Sequence, residues 1–103
     1  MLINFNAAIV NIDGTPRTTM GKLDKVPRPV LLKDIVIPAL LNRLDGEGHT
    51  SGEEKFKHYQ LAERIIAGGQ VDLTPEEVVL VKERVGLGYG ADVVGPAYKL
   101  LNG

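Results

Sequence analysis

The spacing of apolar residues divides the chain into a β-like first part and a longer helical part. Residues 3–12 roughly alternate apolar and polar side chains, which is the pattern of a half-buried strand. Asp13-Gly14 follows and is a pair that tight hairpin turns favour, and residues 17–20 can return as a second strand. We therefore predict a β-hairpin over residues 1–20. Because an isolated hairpin is marginal in water, it must pack on the helices or on another subunit.

Residues 21–31 contain two prolines, each of which favours extended geometry in the residue before it, so we predict an extended connector here. The helical part then covers residues 32–103. Its first apolar residues, from Leu32 to Leu40, recur at helical spacing, but Pro38 interrupts them. This segment is either a helix kinked at Pro38 or an extended run that becomes helical only near Ile37.

Two further helix starts are marked by a hydroxyl residue that is followed three positions later by glutamate. Residues 51–54 (SGEE) and 74–77 (TPEE) both match this capping-box pattern, in which the two side chains satisfy amides at the helix start. The helices that follow span about residues 52–67 and 75–85. Helical spacing predicts that the first of them turns four residues toward the core, namely Phe56, Tyr59, Ala62 and Ile66.

A glycine-rich stretch, GLGYGADVVG at residues 86–95, satisfies the pattern G-x-G-x-x-[GA]. That pattern binds a dinucleotide when a strand precedes it, whereas here a predicted helix does, so a dinucleotide site is excluded. We interpret Gly86 as a helix cap and the later glycines as a sharp bend before a last helix, which Asp92 can cap. The alternative is an anion bound by backbone amides before that helix, with Tyr89 stacking nearby.

Together these elements predict an α+β domain in which an N-terminal β-hairpin packs on a bundle of three or four short helices. The 103 residues suffice for a single domain with one modest core. The chain is 44% hydrophobic and 24% charged, which is typical of soluble globular proteins. We see neither an apolar run long enough to cross a membrane nor a signal peptide, and we expect a cytoplasmic protein.

The residue types that carry most enzyme chemistry are scarce or isolated in this sequence. The absence of cysteine excludes disulfides, thiolate nucleophiles and cysteine zinc sites. Residues 45–56 have the length of a calcium loop, but glycine is missing at its sixth position and Phe56 stands in place of the last carboxylate. Ser51 is explained as a helix cap, and we expect His58 to be solvated or at a helix edge. We therefore predict no metal, no cofactor and no catalytic residue.

One local patch of charge stands out, because residues 15–33 contain five basic residues and one aspartate. A solvated arm is the simplest interpretation. An acidic protein surface or a phosphate group is the alternative, and the exposed Val26 and Val30 favour a protein partner. The net charge of −1 gives no general attraction to nucleic acid. The basic residues are Arg17, Lys22, Lys25, Arg28 and Lys33.

Four segments together resemble small, functionally uncharacterised proteins of tailed bacteriophages and prophages. They read NIDGTPR, LLKDIVIPALL, SGEEKFKHYQLAERI and VDLTPEEVVLVKERVGLGYGADVVGPAYKLL, and the resemblance covers nearly the whole chain. It implies an origin, but it implies no activity and no functional residue.

We therefore expect a non-enzymatic phage or prophage accessory protein of the host cytoplasm, acting in virion assembly or host-factor control. It would bind a phage or host protein, and would also bind itself as a homo-oligomer. The alternative is a small-ligand or nucleotide-binding protein that uses the connector and the glycine-rich bend. The candidate partner- or anion-binding residues are Arg17, Lys22, Lys25, Arg28 and Tyr89.

Overall fold

The computed structural model describes residues 1–19, 27–42, 48 and 50–102. Four helices form most of this part of the chain: α1 (Leu32–Leu41), α2 (Gly52–Ala67), α3 (Pro75–Gly88) and α4 (Ala91–Leu101). Four short strands accompany them: β1 (Leu2–Asn4), β2 (Thr18–Thr19), β3 (Arg28–Pro29) and β4 (Gln70–Asp72). The predicted α+β class is confirmed, since a short N-terminal sheet packs with four helices.

The predicted N-terminal hairpin is present close to its turn, where Val10 bridges Pro16 and the Arg17 amide donates to the Ile9 carbonyl at 2.9 Å, but the residues before it pair elsewhere. β1 pairs antiparallel with β4, which connects α2 to α3, and Ile3 lies opposite Val71. This pairing places both side chains in the core, where Ile3 is 2% and Val71 8% exposed. The predicted turn at Asp13-Gly14 is present, because the Asn11 amide donates to the Thr15 carbonyl at 2.7 Å and Gly14 has a φ of +88°. The first part of the predicted strand therefore pairs across the molecule and not across that turn.

The described end of the connector, residues 27–31, is tied to the N-terminal segment by backbone hydrogen bonds. β3 pairs antiparallel with β2. The Val30 amide donates to the Arg17 carbonyl at 2.9 Å, and the Ile9 amide donates to the Val30 carbonyl at 2.8 Å. The expectation that Val30 is exposed is wrong, since these bonds hold it in the core at 9% exposure. This end of the connector is a paired strand and not a solvated arm.

Leu31 occupies the cap position of α1, where its side chain cannot accept a hydrogen bond, although its amide donates to the Asp34 carboxylate at 2.9 Å. Two of the first amides of α1 are satisfied by the N-terminal segment instead. The Leu32 amide donates to the Ala7 carbonyl at 2.8 Å, and the Lys33 amide donates to the Phe5 carbonyl at 2.9 Å. The first amides of a helix lack partners within the helix, so the backbone of the N-terminal segment acts as the cap.

At the other end of α1, the last carbonyl groups accept hydrogen bonds from a side chain of α3. The helix contains Pro38, so the alternative of a helical start only near Ile37 is wrong. Arg84 donates from Nε to the Ala39 carbonyl at 2.8 Å and from Nη2 to the Asn42 carbonyl at 2.6 Å. Only 6% of Arg84 is exposed. The last carbonyls of a helix carry partial negative charge, which stabilises this buried cation.

The hydrophobic core lies around α1 and draws on the N-terminal segment and on all four helices. α1 contacts each of the other helices. The largest fully buried side chains are Ile3, Phe5, Ile9, Leu32, Val36, Ile65, Leu73, Val81, Val85 and Leu101.

Both predicted capping sites are confirmed. The Ser51 hydroxyl accepts a hydrogen bond from the Glu54 amide at 3.2 Å. At α3, the Thr74 hydroxyl accepts from the Glu77 amide at 3.2 Å, and the Thr74 amide donates to the Glu77 carboxylate at 2.9 Å. Glu77 also accepts from Nη1 of Arg64 on α2 at 2.5 Å. The Glu77 carboxylate thus takes part in the cap of α3 and also links α3 to α2.

The pKa of Glu77 reflects these contacts. Burial raises this pKa, but the hydrogen bond from the Thr74 amide and the hydrogen bond and charge of Arg64 outweigh burial. The pKa is therefore held below its ordinary value of 4.5. A carboxyl group whose pKa is lowered by folding stabilises the protein above the ordinary value, and this stabilisation is lost as the pH falls through the folded-state pKa.

We expect Glu77→Gln to lower the free energy of unfolding at neutral pH by about 1 kcal/mol, because it removes the charge that pairs with Arg64 and that the helix dipole favours in the first turn of α3. Urea unfolding should show this deficit shrinking as the pH is lowered below the ordinary value of 4.5. The exposed neighbour offers a control, and Glu76→Gln should change the unfolding free energy by less than about 0.5 kcal/mol. A deficit for Glu77→Gln that stays constant into the acid range would contradict the assignment.

Candidate functional site

α2 turns a different face to the core from the predicted one. The prediction of a buried Phe56, Tyr59 and Ile66 is wrong, because these side chains are 56%, 53% and 67% exposed. The buried residues of α2 are His58, Leu61, Ala62 and Ile65. Two stripes on this helix have helical spacing, and apolar spacing alone does not decide which of them meets the core.

His58 lies on the buried stripe of α2, so the prediction of a solvated or edge histidine is also wrong. It is 8% exposed and lies one turn of helix from Leu61 and Ala62, which are buried too. His58 lines a cavity of about 290 Å³ at the end of α1, together with Arg84.

The exposed stripe of α2 has the spacing of a helix–helix contact. Its members are separated by three, four and three residues, which is the alternation of the a and d positions of a coiled coil. We call this stripe the α2 seam; it consists of Phe56, Tyr59, Glu63 and Ile66. All four residues are exposed in the single chain. Three of these four side chains are large and apolar, so α2 carries apolar residues on a second face that the core does not cover.

Arg17, one of the predicted binding residues, has a carboxylate partner. Its Nη1 lies 3.1 Å from Oδ2 of Asp92, which is in the first turn of α4. The prediction that Asp92 caps α4 is wrong, since Gly90 occupies the cap position and no side chain caps this helix. A carboxylate in the first turn is favoured by the helix dipole. An anion bound at this helix start would therefore have to compete with Asp92 for Arg17.

The other basic candidates are spread along the connector. Arg28 lies on β3 and lines a surface cleft with Lys33 and Asp34. Lys22 and Lys25 lie outside the residues that the structure describes.

Tyr89 holds the bend between α3 and α4 against α1. Its side chain is half-buried, and its hydroxyl donates to the Ile35 carbonyl at 3.1 Å. Burial raises the pKa of Tyr89 above its ordinary value of 10.0. The structure therefore gives Arg17 and Tyr89 separate partners on different elements.

The glycine-rich stretch is a bend between two helices, as interpreted, but Gly86 does not cap the first of them. α3 continues through Gly86 to Gly88, and α4 begins at Ala91. A Cβ atom at position 86 would lie 2.9 Å from the hydroxyl oxygen of Tyr98 on α4. That hydroxyl donates to the Lys82 carbonyl at 2.6 Å. Glycine at position 86 thus leaves room for the Tyr98 hydroxyl against α3.

We expect Gly86→Ala to lower the free energy of unfolding, although alanine is normally better than glycine inside a helix by about 1 kcal/mol. The added methyl group would displace the Tyr98 hydroxyl from the Lys82 carbonyl. In a Tyr98→Phe background the same substitution should stabilise the protein, because the hydroxyl is gone. A double-mutant cycle measured by urea unfolding should give a coupling of about 1–2 kcal/mol. Equal effects of Gly86→Ala in both backgrounds would refute this contact.

No helix within the described residues is long and apolar enough to cross a membrane. Within the same residues, no group of three or more histidine, aspartate or glutamate side chains is placed to hold a metal ion. No family model matches the chain, and no curated protein or solved structure matches it.

Proposed function

We propose that this protein works by binding another protein through the α2 seam and not by catalysing a reaction. The observation that carries the proposal is the exposure of three large apolar side chains, Phe56, Tyr59 and Ile66, each by more than half. Exposed apolar patches on small soluble proteins mark interaction sites. Aromatic residues are also enriched at the centres of protein interfaces.

The use of charge in this protein supports binding over catalysis. A catalytic site needs a nucleophile, a base and a group that stabilises developing charge at one place. Three arginines of the described chain instead join structural elements. Arg17 reaches Asp92 on α4, Arg64 reaches Glu77 on α3, and Arg84 reaches the carbonyls at the end of α1.

The resemblance to small phage proteins supports a setting for this activity. We propose a phage or prophage accessory protein in the host cytoplasm whose partner is a phage or host protein or a second copy of itself. Virion assembly and host-factor control are both compatible with such a role. The ligand-binding alternative gains no support from Arg17 and Tyr89, because Asp92 and the Ile35 carbonyl already occupy their polar groups.

We expect Phe56→Glu/Ile66→Glu to abolish partner capture, because two carboxylates on the α2 seam would have to be desolvated in the complex. The measurement is affinity capture by the tagged protein from phage-infected or lysogenic cells, with mass spectrometry of the bound proteins. The yield of the specific partner should fall by at least about tenfold, a change of 1.4 kcal/mol.

A matched control exists on α3, where Val79 and Leu87 are 53% and 42% exposed. Val79→Glu/Leu87→Glu makes the same chemical change outside the α2 seam and should capture the partner like the unmodified chain. Urea unfolding should show that both double variants remain folded. Equal capture of the partner by the two double variants would contradict the proposal.

A further inference from the structure

We propose that the α2 seam binds the α2 seam of a second copy of this chain, with the two helices antiparallel about a twofold axis that crosses the seam between Tyr59 and Glu63. This inference rests on the proposed function, because it names the partner of the same surface.

The α2 seam is arranged symmetrically about position 61. Phe56 and Ile66 lie five residues to either side of it, and Tyr59 and Glu63 lie two residues to either side. In an antiparallel pair, residues at equal distances from the twofold axis face each other across the contact. Each Phe56 would therefore pack on the partner's Ile66, and each Tyr59 would face the partner's Glu63. A twofold contact requires such self-complementarity.

Glu63 selects both the partner and the direction of the helices. A carboxylate buried among apolar residues is costly unless a donor is present. The antiparallel arrangement supplies this donor, because the hydroxyl of the partner's Tyr59 donates to the carboxylate of Glu63. A parallel arrangement would instead place the two Glu63 carboxylates against each other. One polar residue in an otherwise apolar seam is a known means of fixing register and direction in coiled coils.

The size of the α2 seam sets the strength of the contact. α2 has 16 residues, which corresponds to a length of about 24 Å. Stable interfaces bury about 800 Å² on each partner, more than one stripe of a helix this long offers. Leu41 extends the apolar surface, since it is 52% exposed and lines the same cavity as Tyr59. We therefore expect a reversible equilibrium between monomer and dimer.

The first test is sedimentation equilibrium of the purified chain from about 5 to 500 µM, a range suited to a weak interface. The apparent mass should rise from 11.1 kDa toward twice that value. Phe56→Glu/Ile66→Glu should stay monomeric, and Val79→Glu/Leu87→Glu should behave like the unmodified chain. A monomer at every concentration would overturn the inference.

The second test addresses the contact between Tyr59 and Glu63. Tyr59→Phe should raise the dissociation constant about tenfold, because it leaves a desolvated carboxylate without its donor. Adding Glu63→Leu should reverse this loss, since the unpaired charge is then absent. Both side chains are exposed in the monomer, so urea unfolding at low concentration should be nearly unchanged. A Tyr59→Phe dimer as tight as the unmodified one would overturn the proposed geometry.

The third test uses the absence of cysteine from the chain. Single variants Tyr59→Cys and Glu63→Cys are oxidised separately and as a mixture. The antiparallel register predicts that the disulfide between position 59 and the partner's position 63 forms preferentially in the mixture. A preference for disulfides between identical positions indicates parallel helices and would overturn the inference.

The two proposals fail in distinguishable ways. A chain that remains monomeric but captures a different protein through the α2 seam would overturn the dimer and leave the proposed function intact. A dimer unaffected by Phe56→Glu/Ile66→Glu, with no other partner lost, would overturn both.

Discussion

The amides at the start of α1 and the carbonyls at its end form hydrogen bonds with distant parts of the chain, and this requirement organises the fold. α1 has 10 residues and contains Pro38, so it is too short to be stable alone in water. Its first amides use the carbonyls of Phe5 and Ala7, while Arg84 binds the carbonyls at its end. These partners lie far from α1 along the chain, on both its N-terminal and its C-terminal side. The helix and its surroundings therefore form together.

The same requirement explains the course of the N-terminal segment. The Phe5 carbonyl accepts from α1, while the Phe5 amide donates to the Gly69 carbonyl at 2.7 Å, between α2 and β4. The segment thus forms hydrogen bonds with a helix start on one side and with a strand connection on the other. β1 continues these contacts by pairing with β4. If the N-terminal segment formed only a two-stranded hairpin, the first amides of α1 and the Gly69 carbonyl would have no hydrogen-bond partners.

The two capping-box signals, each contained within four residues, were predicted correctly, whereas features that depend on distant contacts were not. Ser51 and Thr74 mark helix starts because the cap and its amide are three residues apart. β4 has three residues, too few to show an alternating pattern, and its partner is about 70 positions away. The prediction that Gly86 caps a helix is wrong, because its role depends on the position of Tyr98 on another helix. Of the predicted binding residues, Arg17 and Tyr89 gave no local sign of their partners on α4 and α1.

The error on α2 identifies the candidate site. Three residues of α2 have the apolar character and the helical spacing of buried residues, namely Phe56, Tyr59 and Ile66. The sequence does not show which surface would bury them. The core takes the opposite stripe, where Leu61 and Ile65 fit between α1 and the other helices. Large apolar residues left in water at helical spacing reduce solubility unless another surface covers them. Because Glu63 lies among them, a surface that covers them without a hydrogen-bond donor would leave a desolvated carboxylate, and in the proposed dimer the partner's Tyr59 would supply that donor.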